Sequence, residues 1–172
     1  DYDLFDLIKE VIRIVRLMSH QDLVVKEYSY LNLFMEKLSI NPFFATEGEL
    51  KHLLIQHNIE LAFEPKTKDE YLDLIMSHIL EPSFDPDVIT VLHSYPASQA
   101  SLAKITKDCA GHSIGKRFEI YWKGLELANG YEELTDPIEQ RERFEKENIL
   151  RQEYGLAPVE IDELFLQEMA QM

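Results

Sequence analysis

Apolar residues recur at helical spacing from Tyr2 to Ser19, where Leu4, Leu7, Ile8, Val11, Ile12, Val15 and Met18 form one stripe. The segment from Ser29 to Ile40 carries a shorter pattern of the same kind. It stops at Asn41-Pro42, because a residue before proline is pushed out of the α region. Thr46 to Glu49 reads as a capping box opening a helix to about His57, and Thr67 to Glu70 as one opening a helix through Leu80. Pro82 and Pro86 then break the chain. Val88 to Tyr95 is short and β-branched, which predicts a strand, and Pro96 to Lys104 is a small-residue loop. Phe118 to Leu134 alternates as a β-hairpin would. Asp136 is an N-cap with Pro137 at the first helical position, opening a helix through Glu153. Gly155 and Pro158 end it, and Ile161 to Met172 starts a last helix. A helical segment (1–87), a few antiparallel strands (88–135) and a closing helical segment (136–172) make the fold class α+β.

The hairpin carries the candidate chemistry. With its turn at Trp122-Lys123, Ile120 faces Leu125 and Glu119 faces Glu126. Like charges directly opposite destabilise a sheet. A divalent cation between them would remove the repulsion, and Mg²⁺ prefers one or two carboxylates completed by phosphate oxygens. Farther on, Asn129, Tyr131 and Glu133 stand at spacing two and so line one face. An amide, an aromatic ring and a carboxylate in a row suit a ligand bearing an ammonium group. Glu126 and Glu133 are an odd number of residues apart, so both serve one pocket only if the strand bulges, for which Gly130 is the expected position. The plain alternative is that these acids are solvated, and that Asn129-Gly130 is itself a tight turn.

Composition narrows the classes. A formal net charge of -15 argues against this chain gripping a phosphate backbone, which needs a Lys/Arg surface. The single cysteine, Cys109, excludes an internal disulfide and fits a reducing, cytoplasmic setting. No apolar run reaches the length of a membrane helix, roughly 18 residues. The histidines lack ligand spacing: His52 and His57 do not stack on one helix face, and no Ser–His–Asp arrangement is legible. Ser98 and Ser101 are read as shaping their loop, with a loop bordering the substrate pocket as the alternative, and Glu139–Arg143 as a pair on a solvated helix with Phe144 as its anchor.

The run Arg117-Phe118-Glu119, then Gly124-x-Glu126-Leu127-Ala128-Asn129-Gly130-Tyr131-x-Glu133-Leu134-x-Asp136, resembles the stretch before motif 3 of class II aminoacyl-tRNA synthetases of the lysyl type. Within that family it is most similar to the ligases that attach (R)-β-lysine to elongation factor P. Tyr95 to Ile105 is similar to the loop of those ligases. Lysyl-tRNA synthetases generally carry Ser-Pro-Leu-Ala where this chain has Ala100-Ser101-Leu102-Ala103. The opening resembles the helix after motif 2, and the likeness is strongest from Tyr95 to Phe144.

The resemblance implies a partial class II catalytic domain using ATP and Mg²⁺, with Glu119 and Glu126 at the metal, Glu126 and Leu127 at ATP, and Asn129, Tyr131 and Glu133 at the lysine or β-lysine substrate. It implies no protein nucleophile, elongation factor P as protein substrate, and a homodimer in the full-length protein. Motif 1, motif 2 and the Gly-rich motif 3 are absent. The chain is therefore expected to be a piece of a longer protein and inactive alone, having lost its arginine phosphate clamps. Two other readings stay open: a piece of a lysine–tRNA ligase, with tRNA as partner, or an inactive synthetase-like binding module.

Overall fold

The computed structural model describes residues 2–61 and 63–171. The chain start at Asp1 and the helix end expected at Met172 lie outside the described residues. Two compact units result, 1–132 and 133–172.

The first unit opens with α1 (Leu4–Ser19), which Asp3 and Asp6 close as a capping box. A strand follows that the local pattern does not announce, β1 (Val24–Ser29), and Ser29 then caps α2 (Tyr30–Leu38). The capping box at Thr46–Glu49 forms as expected and opens α3 (Glu47–Gln56). Thr67 caps α4 (Lys68–Ile75), but Glu70 bonds the Lys66 amide rather than closing a box, at 2.6 Å. The helical path continues to Leu80 as a π-turn (Met76–Leu80) and ends in a 3₁₀ turn at Glu81–Ser83.

Four more strands complete the sheet: β2 (Val88–Pro96), β3 (Ile105–Lys107), β4 (Ser113–Trp122) and β5 (Leu125–Tyr131). The order is β1-β2-β4-β3, with β5 paired to β4 beside β3. The strands from β2 onward are antiparallel as expected. β1 pairs parallel to β2, Val24 opposite Val88, so the sheet is mixed. Parallel neighbours need a long crossover, and α2 to α4 provide it.

Side chains alternate across β4, and this alternation separates two cores. Phe118 and Ile120 pack with Ile89, Val91 and the Leu4, Ile8 and Ile12 stripe of α1. Tyr121 faces the other way, into a cluster with Tyr30, Phe34, Leu50, Leu72, Ile75 and Tyr95. Each fully buried Leu or Phe contributes about 1.5–3 kcal/mol, so both faces matter. Glu119 lies on the second face, among tyrosines.

The second unit contains α5 (Pro137–Glu153), capped by Asp136 with Pro137 in its first turn, and α6 (Glu163–Met169), capped by Asp162. Arg141 grips Glu163 with both terminal nitrogens, and Asn148 holds the Val159 backbone at 2.8 and 2.7 Å. The Glu139–Arg143 pair forms at 2.6 Å, and the half-buried Phe144 meets Phe165 at 6.2 Å between ring centres. Among the described residues no helix is long and apolar enough to cross a membrane.

Candidate functional site

The hairpin turns at Lys123-Gly124, one residue later than the alternation suggests. Both residues have positive φ, 52° and 72°, the geometry of a tight twisted turn that suits the flanking strands. Trp122 therefore pairs with Leu125 and Tyr121 with Glu126. The ladder then slips: Ile120 pairs with Ala128, and Leu127 is the extra residue of a β-bulge. Glu119 faces Asn129, not Glu126, which corrects the expected register. The bulge also lies at Leu127 rather than Gly130. Gly130 meets a different demand, because a Cβ there would stand 2.7 Å from the Phe118 ring. Asn129-Gly130 is strand, not turn.

The bulge sets the faces. Directly paired residues point the same way, so Glu126 shares the face of Tyr121, and Asn129 that of Glu119. Since Glu119 and Tyr121 are two apart on β4, all four lie on one face, and Tyr131, opposite Arg117, continues the row. Without the extra residue the odd step from Glu126 to Asn129 would put them on opposite faces.

Glu119 is buried and accepts four hydrogen bonds. Arg117 and Asn129 bond one oxygen, the latter at 3.1 Å; the Tyr95 and Tyr121 hydroxyls bond the other, Tyr95 at 2.5 Å. Burial and the Glu119 charge push both phenols far above their ordinary range, so they remain neutral donors. Arg117 also bonds the Gln99 carbonyl at 2.9 Å and the Asn129 side-chain oxygen at 3.2 Å, and its guanidinium stacks over the Tyr95 ring at 4.5 Å. A buried carboxylate is tolerated here because every donor it needs is supplied.

This network forms one wall of a cavity of about 730 Å³, within the usual range for small-molecule sites, roughly 300–1,000 Å³. The opposite wall is α4 and the turn after it, bringing Asp69, Glu70, Asp73 and Glu81 toward Glu119 and Glu126, with Arg117 as the one basic residue lining it among the described residues. Nothing in the local pattern of α4 marks these acids as a site; only the tertiary fold turns them inward. Ser98 and Gln99 tie the loop after β2 to this wall, Ser98 to Asp69 at 2.9 Å and Gln99 to Asp73 at 2.7 Å. Crowding shows in the titration. Burial, then Glu119, raises the pKa of Glu126 and of Glu81, and burial, then Asp69, raises that of Asp73.

Glu119 and Glu126 thus line one cavity, Asn129 joins it through Glu119, and Tyr131 lies one step along the strand. Leu127 is exposed at the bulge and does not line the cavity; Glu133 begins the second unit. Glu132, the fourth hairpin acid, is held by Lys104 at 3.3 Å and Lys116 at 2.7 Å, a structural role. His112 bonds Asp108 at 2.8 Å and stacks on Phe43, and Cys109 is exposed. The carboxylate pair suits a hard cation: Glu126 is destabilised by Glu119, and a bound divalent ion would remove that repulsion. Glu119 would join by giving up one of its donors.

The chain matches the family model for class II tRNA synthetases (D, K and N) over residues 3–169. It belongs to that family. The class II synthetase relatives it resembles include proteins named elongation factor P–(R)-β-lysine ligase. One, from Hamiltonella defensa, is 36% identical over 168 residues, covering 96% of this chain and 50% of the relative. One from Pasteurella multocida is 35% identical over 165 residues, with 96% and 50% covered, and one from Proteus mirabilis 40% over 139 residues, with 80% and 42%. The chain spans about half the length of the curated relatives it matches.

Proposed function

We propose that the chain is part of a cytoplasmic, ATP-dependent ligase that activates (R)-β-lysine as an adenylate and transfers it to a lysine of elongation factor P. The names of its relatives support this reading. The observation that carries it is the bulge at Leu127, which gathers Glu119, Glu126 and Asn129 on one face. In this reading Glu119 and Glu126 hold Mg²⁺, Glu126 borders ATP, and by the family pattern alone Leu127 does so from outside the cavity and Glu133 joins Asn129 and Tyr131 in taking the amino acid. The working protein is a homodimer.

Bound Mg²⁺ would supply charge neutralisation to the triphosphate. The residues of this chain position and neutralise and form no covalent bond. The substrate carboxylate attacks the α-phosphorus and pyrophosphate leaves with the electrons of the broken P–O bond. An amine of the acceptor lysine then attacks the acyl carbon; AMP leaves and the amine loses a proton. Arg117 and Asn129 fix one oxygen of the Glu119 carboxylate, and the neutral Tyr95 and Tyr121 hydroxyls fix the other without adding charge.

The test is ATP–pyrophosphate exchange by the complete parent protein with (R)-β-lysine or α-lysine, with this chain alongside. Faster exchange with (R)-β-lysine is expected, and no exchange by the chain alone. Faster exchange with α-lysine would favour a tRNA ligase, and none with either a binding module.

A further inference from the structure

Tyr30 is fully buried, and its hydroxyl has no hydrogen-bond partner, although the residue lines the acidic cavity. Gln99 lies close enough to favour its ionised form slightly without closing an aligned hydrogen bond. An orphaned buried hydroxyl costs about 1–3 kcal/mol. The surrounding structure does little to relieve that cost. The Tyr30 ring is fixed by stacking on Phe34 at 4.7 Å and by Tyr95 at 5.1 Å, so the hydroxyl cannot swing elsewhere. Asp73 and Asp69 on α4 line the same cavity, and their charges raise the Tyr30 pKa after burial does.

We propose that Tyr30, Asp69 and Asp73 form a subsite for a primary alkylammonium, on the cavity wall opposite Glu119. The subsite rests on the reading of this face as a ligase site. An ammonium has three donors and no acceptor, and needs oxygens on several sides. The two carboxylates and the phenol oxygen supply them. Mg²⁺ fits worse, since it demands an octahedron of hard oxygens and a neutral phenol is a poor member of one. No group of three metal-ligating side chains gathers among the described residues. Two sources carry this chemistry in the proposed reaction: the amino-acid substrate and the side chain of the acceptor lysine.

The probe is n-butylammonium chloride, titrated into the 172-residue chain by calorimetry, with n-butanol as the uncharged control. Saturable binding of the ammonium alone is expected. Tyr30→Phe and Asp73→Asn should each weaken it roughly tenfold or more. Tyr30→Phe should melt no lower than the wild type, because it removes an unpaired buried hydroxyl; this separates a binding role from a structural one. No saturable binding, unchanged binding by both variants, or competitive displacement by Mg²⁺ would overturn the subsite. In the parent protein, Asp73→Asn raising KM for the free amino acid in exchange identifies the substrate ammonium. A rise only in the KM for acceptor protein identifies the acceptor lysine, and neither rising overturns the proposal. A parent without exchange activity would sink the ligase reading, while the butylammonium titration would still decide the subsite.

Discussion

Replacing Glu119 with alanine would leave Arg117, Tyr95, Tyr121 and Asn129 facing an emptied acceptor site. Removing one partner of a buried charged pair costs about 3–5 kcal/mol, so Glu119→Ala should show a large loss in urea unfolding. Glu126→Gln should act in the opposite direction. Its folded pKa is raised, so the penalty is absent below the unfolded pKa, where both states are protonated, and complete above the folded one. Wild-type stability should fall as pH rises through that window, and the variant should lose this slope. For so exposed a group the gain is on the order of 0.2–1 kcal/mol. The same substitution should lower exchange activity in the parent at least tenfold, roughly the weight of one transition-state electrostatic contact. Glu119 and Glu126 were legible as candidates because acids on a hairpin conflict with ordinary strand chemistry, but the register expected between them does not form, and Asn129 was read in a separate row with Tyr131 and Glu133. Asp69, Asp73 and Tyr30 were not legible. On their own helices they satisfy every local rule, and nothing local says which face meets the sheet.

Helix starts were readable because a cap is a contact between residues three apart: Thr46, Thr67 and Asp136 all cap where the sequence places them. Asp136→Ala should cost roughly 1 kcal/mol of α5 stability, seen as lower helical ellipticity and earlier thermal loss of that signal. The hairpin was readable to within a residue, but the bulge was not, since period-two alternation marks a strand without locating an extra residue in it. β1 escaped because its partner β2 lies some sixty residues away and Ser29 ends the strand while capping the next helix. Gly130→Ala tests the hairpin packing. Its methyl would force the Phe118 ring to move, and overpacking of this kind costs about 1–3 kcal/mol; a lower urea midpoint with an unchanged slope is expected.

At the scale of the first unit, the sheet order leaves β1 as an edge, with Val24 exposed, and α1 presents Ile14, Leu17 and Met18 to solvent. An open strand edge beside apolar surface invites pairing with another copy. The sedimentation-average mass of the chain should rise with concentration, and Val24→Lys should reduce that rise. β4 occupies the reverse position. It has partners on both edges and a buried cluster on either face. Its ladder amides can meet solvent only when the whole unit opens, so they should be the slowest in hydrogen–deuterium exchange, with β1 among the fastest strands. The carboxylate with the most demanding surroundings thus sits on the last strand to let go. Denaturant that already frays the edges would leave the floor of the cavity standing.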